Sequence, residues 1–188
     1  MNYTTYLFDF DYTLADSSRG IVTCFRNVLN RHGYTHPTDN DIKRTIGKTL
    51  EESFSILSGV TDTRQLAEFK KEYIKEADTH MTVNTVLFLE TKSVLAALKD
   101  SGARIGIIST KFRYRIKELL DQHFPEDFLD IIIGGEDVKT PKPSPEGLLL
   151  AIKQLHVTKA ETLISATVRW MQKPHKRREW TLPASRMA

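Results

Sequence analysis

Cysteine is almost absent from this chain of 188 residues: Cys24 stands alone, so no intramolecular disulfide can form and the composition fits a reducing cytosol. No stretch approaches the roughly 18 to 20 consecutive apolar residues that span a bilayer, which excludes a helical membrane protein. The opening segment MNYTTYLFDFDYTL has neither the basic stretch nor the cleavage site of a signal peptide, and the expectation is a cytoplasmic protein. A further scarcity is local. No Asp or Glu occurs between Glu161 and Glu179, whereas residues 164 to 188 hold Arg169, Lys173, Lys176, Arg177, Arg178 and Arg186. That tail is +5 of a net +3, so the rest of the chain is −2. Outside the tail nothing asks for a polyanion partner, and nucleic acid is not the expected ligand.

What is present is an alternation of short apolar runs with amphipathic ones. TYLFDF at 5–10, RIGIIS at 104–109, LDIIIGG at 129–135 and the start of TLIS at 162–165 read as buried strands. Between the last three, 111–122 places Ile116, Leu119 and Leu120 on one helical face, and 144–156 does so with Leu148, Leu149, Ile152 and Leu155. Strands alternating with helices predict an α/β fold with a parallel sheet covered on both faces. The first strand is followed by helical patterns at 17–32, 39–57 and 63–78, and a helix at 90–101 leads back to the sheet. The expected organisation is a core of residues 1–15 and 86–165, a helical insertion at 16–85, and a basic tail at 166–188, with the core truncated on its C-terminal side. An insertion at the carboxyl end of a strand sits where open α/β sheets bind ligands.

Chemistry-bearing residues cluster at the same strand ends. Asp9 and Asp11 end the first strand, and residues i and i+2 of an extended chain point the same way, so both carboxylates can face one pocket. Two carboxylates so close resist joint ionisation unless a cation compensates or one holds a proton. Either outcome suits a nucleophile beside an acid/base, with Mg²⁺ as the hard, oxygen-seeking cation. Taken alone, such a pair reads as an Asp-rich turn. The second strand ends in Ser109-Thr110-Lys111, where hydroxyls and backbone N–H groups can bind phosphate oxygens or simply cap a helix. After the third strand, KTPKPSP at 139–145 holds Lys142 between prolines that keep the loop from turning helical. His32 and His36 are separated by Gly33 and followed by Pro37, so they read as solvated loop residues. Cys24 reads as a packed thiol, and Glu136 with Asp137 as a solvated loop.

The order strand-DxDxTLxDS, helical insertion, strand-Ser-Thr-Lys, then a Lys-Pro-Ser-Pro loop resembles the haloacid dehalogenase superfamily, and within it the phosphoglycolate phosphatase branch with a small helical cap. The resemblance covers residues 4–163. It implies a Rossmann-like core and a phosphoric monoester hydrolase of a small phosphorylated metabolite. By that resemblance Asp9 is the nucleophile that forms an aspartyl-phosphate, and Asp11 is the general acid and then the base. Ser109 and Lys142 hold the transferred group, and Thr13 and Thr110 join them in binding substrate. Mg²⁺ is implied on Asp9 and on the backbone carbonyl of Asp11, and the helical cap is implied to close over the pocket. A phosphomutase of β-phosphoglucomutase type shares these motifs and stays open as an alternative, as do an inactive phosphate-binding protein and a nucleic-acid binder acting through the tail.

One motif departs from the pattern. The superfamily follows its fourth strand with an acidic GDSxxD sequence that completes the Mg²⁺ site, and here SATVRWMQKPHK stands in its place. Reading the possible codons from Leu163 one base earlier permits Y-I-G-D-S-T-V-D-A, with the Asp from Trp170-Met171 and the Ala from Met171-Gln172 forced by the genetic code. The expectation is that one base was lost near codon 163 and that residues 164–188 are translated out of frame. Sequencing the encoding DNA across that codon checks this. Codons that yield GDSxxD in the neighbouring register are expected, and an intact frame that cannot yield it contradicts the reading.

Overall fold

Strand β1, Thr5–Phe8, lies inside a sheet rather than at its edge, which is why its four residues include Leu7 with no solvent exposure. The computed structural model describes residues 3–167 and 179–183. They divide into two compact units, one comprising residues 1–15 with 87–188 and the other residues 16–86.

In the first unit β1 pairs in parallel with β4, Arg104–Ile108, on one side and with β6, Thr162–Thr167, on the other. Beyond β4 lies β5, Ile131–Ile133, so the parallel order is β5-β4-β1-β6. The fold is therefore α/β with a parallel sheet. Three helices cover it: α5 at Thr91–Asp100, α6 at Arg113–Leu120 and α7 at Glu146–Leu155. Alternation along the strands sorts the core into two layers. Phe8, Ile105 and Ile107 pack with Leu95, Ile116, Leu119 and Leu120 on one face. Leu7, Ile108 and Ile133 pack with Leu148, Ala151 and Leu155 on the other. Each fully buried aliphatic or aromatic side chain contributes about 1.5–3 kcal/mol, so these layers carry the sheet.

Several elements end earlier than the apolar pattern implies. Strand β1 stops at Phe8 because the Phe10 carbonyl accepts bonds from the amides of Thr13, Leu14 and Ala15, curling the chain around Tyr12, whose φ is 64°. On the C-terminal side, where the sequence predicts a truncated core, strand β6 is paired. Strand β7, Glu179–Pro183, runs antiparallel to β6 with Thr167 opposite Glu179 and Leu163 opposite Pro183. An open row of strand N–H and C=O groups takes up such a partner readily. Apart from Ala166, Thr167 and that strand, the expected basic tail lies outside the described residues.

The second unit is helical: α1 at Ser18–Arg31, α2 at Asp39–Arg44, α3 at Leu50–Ser58 and α4 at Thr63–His80. The single helix expected at 39–57 is two. Thr38 and Thr49 each cap a helix through the side chain, and Gly47 turns the chain between them at a φ of 98°. Phe25, Phe54, Phe69 and Tyr73 form its centre, with the Phe25 and Phe54 rings 4.6 Å apart. The two units are joined by two-residue strands β2, Ala15–Asp16, and β3, Val86–Leu87, which pair with each other.

Along α1 and α4, Arg31 bonds Glu72 and Glu76, and Asn27 donates to Glu76 Oε2 at 2.7 Å. His32 is exposed, as expected, and also places Nε2 2.7 Å from Glu72 Oε1 and its ring 4.6 Å from Phe69. The Asn27 amide and the Arg31 guanidinium hold the Glu76 carboxyl below the ordinary glutamate range, against burial that opposes them.

Two predictions follow from this packing. A Cβ at Gly106 in β4 would overlap Ile131 Cγ2 and lie 2.7 Å from Leu7 Cδ2, so Gly106→Ala is expected to destabilise by about 1–3 kcal/mol in denaturant unfolding. The depressed Glu76 carboxyl contributes stability that is complete above its unfolded value, about 4.3, and is lost as pH falls through the lower folded value. Glu76→Gln is therefore expected to lower stability at neutral pH and to flatten its acid-side pH dependence, measured by thermal unfolding from pH 3 to 7.

Candidate active site

The parallel strands of the first unit all deliver their carboxyl ends to one edge, and the loops that leave them carry the polar residues. From β1 come Asp9 and Asp11. From β4 come Ser109, Thr110 and Lys111, and from the loop after β5 comes Lys142. Asp9 remains in the ladder, its amide donating to the Ser165 carbonyl at 2.9 Å. Its Oδ1 accepts from the Phe10 amide at 2.9 Å and from Lys142 Nζ at 3.0 Å. Lys142 Nζ also donates to the Ile108 carbonyl at 2.7 Å, so one ammonium ties the end of β4 to the carboxylate at the end of β1.

The second carboxylate has its own cation. Lys111 Nζ lies 3.3 Å from Asp11 Oδ1, with the two side chains only 7% and 12% exposed. The site thus sets two carboxyl groups against two lysine side chains. Ser109 is buried, its amide bonded to the Ile133 carbonyl at 3.0 Å and its Oγ accepting from the Lys111 amide at 3.2 Å. Asp9, Asp11, Ser109 and Lys142 are therefore brought to one strand-end cluster. Thr110 follows Ser109, half-buried, and Thr13 lies in the curled loop after β1, its amide bonded to Phe10.

Sequence reasoning missed the clasp that braces these loops. Gly135 donates its amide to the Lys111 carbonyl at 3.1 Å. Arg113 gives its amide to Glu136 at 2.8 Å and its guanidinium to Asp137, which also accepts from the Gly134 amide at 2.7 Å. Glu136, which is exposed as expected, and Asp137, which is half-buried, are thus tied to α6 and the β5 turn. Arg113 and the Gly134 amide hold the Asp137 carboxyl below the ordinary aspartate range, against burial. The readable signal was the Gly134-Gly135 pair, since a side chain has no room at either position: a Cβ on Gly135 would collide with the Thr110 carbonyl oxygen. Among the described residues no group of three or more His, Cys, Asp or Glu is placed to hold a metal ion. Among the described residues of this cluster, the oxygen donors a cation could use are Asp9, Asp11 and backbone oxygen.

Comparison with known proteins places the chain in a family. The family model of haloacid dehalogenase-like hydrolases matches residues 6–165. A solved haloacid dehalogenase-like hydrolase from Bacteroides fragilis is 64% identical, with a TM-score of 0.87, covering 89% of this chain and 80% of that one. Pyrophosphatase PpaX of Bacillus cereus is 27% identical over 164 residues, 87% of this chain and 74% of the relative. A predicted phosphoglycolate phosphatase from Haemophilus somnus shares the fold, with a TM-score of 0.79 at 16% identity, covering 89% of this chain and 78% of that one.

Because Gly135 abuts Thr110, Gly135→Ala is expected to shift the Ser109–Lys111 turn. Phosphatase turnover should fall by roughly tenfold or more, since a misplacement near 1 Å costs up to about 10²-fold in rate. Steady-state hydrolysis of p-nitrophenyl phosphate, beside a thermal melt that confirms folding, measures it.

Proposed function

The chain belongs to the haloacid dehalogenase-like hydrolases and is an enzyme of phosphatase type, and on that premise we propose that it hydrolyses a small phosphorylated metabolite through a phosphoryl group carried on Asp9. The observation that supports this most is the Lys142–Asp9 contact at 3.0 Å, which places an ammonium beside the carboxylate at the strand end. Phosphoryl transfer is governed by positioning and by neutralising charge, and this pair does both. Lys142 and the Phe10 amide occupy Oδ1, which leaves Oδ2 to attack phosphorus.

In the first half-reaction the Oδ2–P bond forms and the bond from phosphorus to the leaving oxygen breaks, with Asp11 giving a proton to that oxygen. In the second, water attacks phosphorus, its proton passes to Asp11, and the bond to Asp9 breaks, releasing phosphate. The Ser109 hydroxyl and the amides of its turn bind phosphoryl oxygens, with Thr110 and Thr13 as further substrate contacts. Substrate choice we assign to the helical unit of residues 16–86.

Mg²⁺ fits as a cation of hard oxygen donors, since it is commonly held by one or two carboxylates together with substrate phosphate and water. Asp9 and the Asp11 carbonyl would hold it, and when bound it neutralises phosphoryl charge. The donor set stops there. Glu136 and Asp137 are engaged elsewhere, and the sequence after β6 offers no acid before Glu179. We therefore infer that this chain binds Mg²⁺ weakly and works slowly. A family match that stops at residue 165 supports the reading that one base was lost near codon 163. The same shortage favours a second reading, a phosphate-binding protein without turnover.

Hydrolysis of p-nitrophenyl phosphate, followed with Mg²⁺ and after chelation, tests these readings. Activity that falls at least about 10²-fold on chelation and in Asp9→Asn is expected. Equal inertness of wild type and Asp9→Asn would leave phosphate binding alone, and activity untouched by chelation would remove the metal from the mechanism.

A further inference from the structure

Lys111 is the one charged residue of the strand-end cluster to which the family pattern gave no role, yet it is the most firmly held. Four contacts fix it, and they come from all three loops. Its amide donates to Ser109 Oγ at 3.2 Å within its own turn. Its carbonyl accepts from Gly135 at 3.1 Å, after β5. Its ammonium lies 3.3 Å from Asp11 Oδ1 and 5.9 Å from the centre of the Phe10 ring, both after β1. With 7% of the side chain exposed, the ammonium is withdrawn from solvent and faces the carboxylate at close range.

Lys142, which the phosphatase reading assigns to the transferred group, is the more open of the two lysines, with 35% of its side chain exposed against 7% for Lys111. A lysine serving stability alone need not be tied to Asp11. We propose that Lys111 is a positioning residue for Asp11: by holding the carboxyl group at Oδ1 it fixes the orientation in which Asp11 exchanges a proton with the leaving oxygen and with water. Phe10 confines the ammonium and Gly135 confines its backbone, so the orientation of Asp11 is set jointly by the loops after β4 and β5. This inference rests on the phosphatase reading, because the proton it directs belongs to that reaction. When the P–O bond to an alkyl group breaks, the departing alkoxide takes its proton from Asp11. When it breaks to dinitrophenolate, no proton is required.

That difference gives the test. Lys111→Met and the conservative Lys111→Arg are compared with wild type, with Mg²⁺ present, on ethyl phosphate and on 2,4-dinitrophenyl phosphate. General acid catalysis contributes about 10²–10⁴-fold. For Lys111→Met, kcat/KM on ethyl phosphate is expected to fall at least about tenfold more than on dinitrophenyl phosphate, with partial recovery in Lys111→Arg. An equal loss on both substrates, or no loss on either, overturns the proposal.

A second readout does not require turnover. Unfolding of Lys111→Met, Asp11→Asn and the double variant forms a thermodynamic cycle, and groups in direct contact couple measurably. A coupling of at least about threefold in the unfolding equilibrium constant is expected, and additivity overturns the contact. If wild type hydrolyses neither substrate while the coupling is present, the phosphatase reading fails and the placement of Asp11 by Lys111 stands.

Discussion

Everything at the site depends on β1 being hydrogen-bonded on both sides, to β4 and to β6, in parallel register. A parallel sheet points every strand's carboxyl end the same way, so residues about a hundred positions apart emerge at one edge. Thr5 sits opposite both Arg104 and Thr162, and from that register Asp9 reaches Ser165 on one side while Lys142 bridges to Ile108 on the other. Moving β1 by one residue would exchange Leu7 and Phe8 between the two core layers, and their burial resists it. Packing energy thus holds the geometry that the chemistry uses.

The second constraint is charge. Asp9 and Asp11 each lie against a lysine, and the two lysines differ in exposure and in purpose. Lys142 stands at the pocket with its ammonium shared between Asp9 and a strand carbonyl. Lys111 lies behind Asp11 against an aromatic ring. On the proposed reading, a phosphate group adds negative charge to this cluster, and a divalent cation would offset it. The shortage of acid after β6 therefore bears on turnover more than on substrate binding.

The sheet and the positions of Asp9, Asp11, Ser109 and Lys142 were legible because they are written locally: apolar runs of strand length, each followed by polar residues at a turn. The helical stretch at 39–57 was misread because Ile42, Phe54 and Leu57 sustain an apolar pattern across a break, and the two threonine caps that mark the restart were overlooked. His32 is solvated as read, but its pairing with Glu72 was illegible because that partner lies 40 residues away on another helix. The Arg113 clasp and the Lys111–Asp11 contact were illegible for the same reason, since each joins loops that only the folded sheet brings together. The pairing of β7 with β6 had no sequence signal, because a basic segment with two tryptophans shows neither period.

The central claim is that Asp9 carries the phosphoryl group. The most direct measurement is to mix the protein with 2,4-dinitrophenyl phosphate and Mg²⁺, quench in acid, and map the modified peptide by mass spectrometry. One phosphoryl group on Asp9, stable in acid, released by hydroxylamine and absent from Asp9→Asn, is the predicted result. A phosphoryl group on Ser109 or another residue, or substrate turnover with no phosphorylated Asp9, would contradict the account.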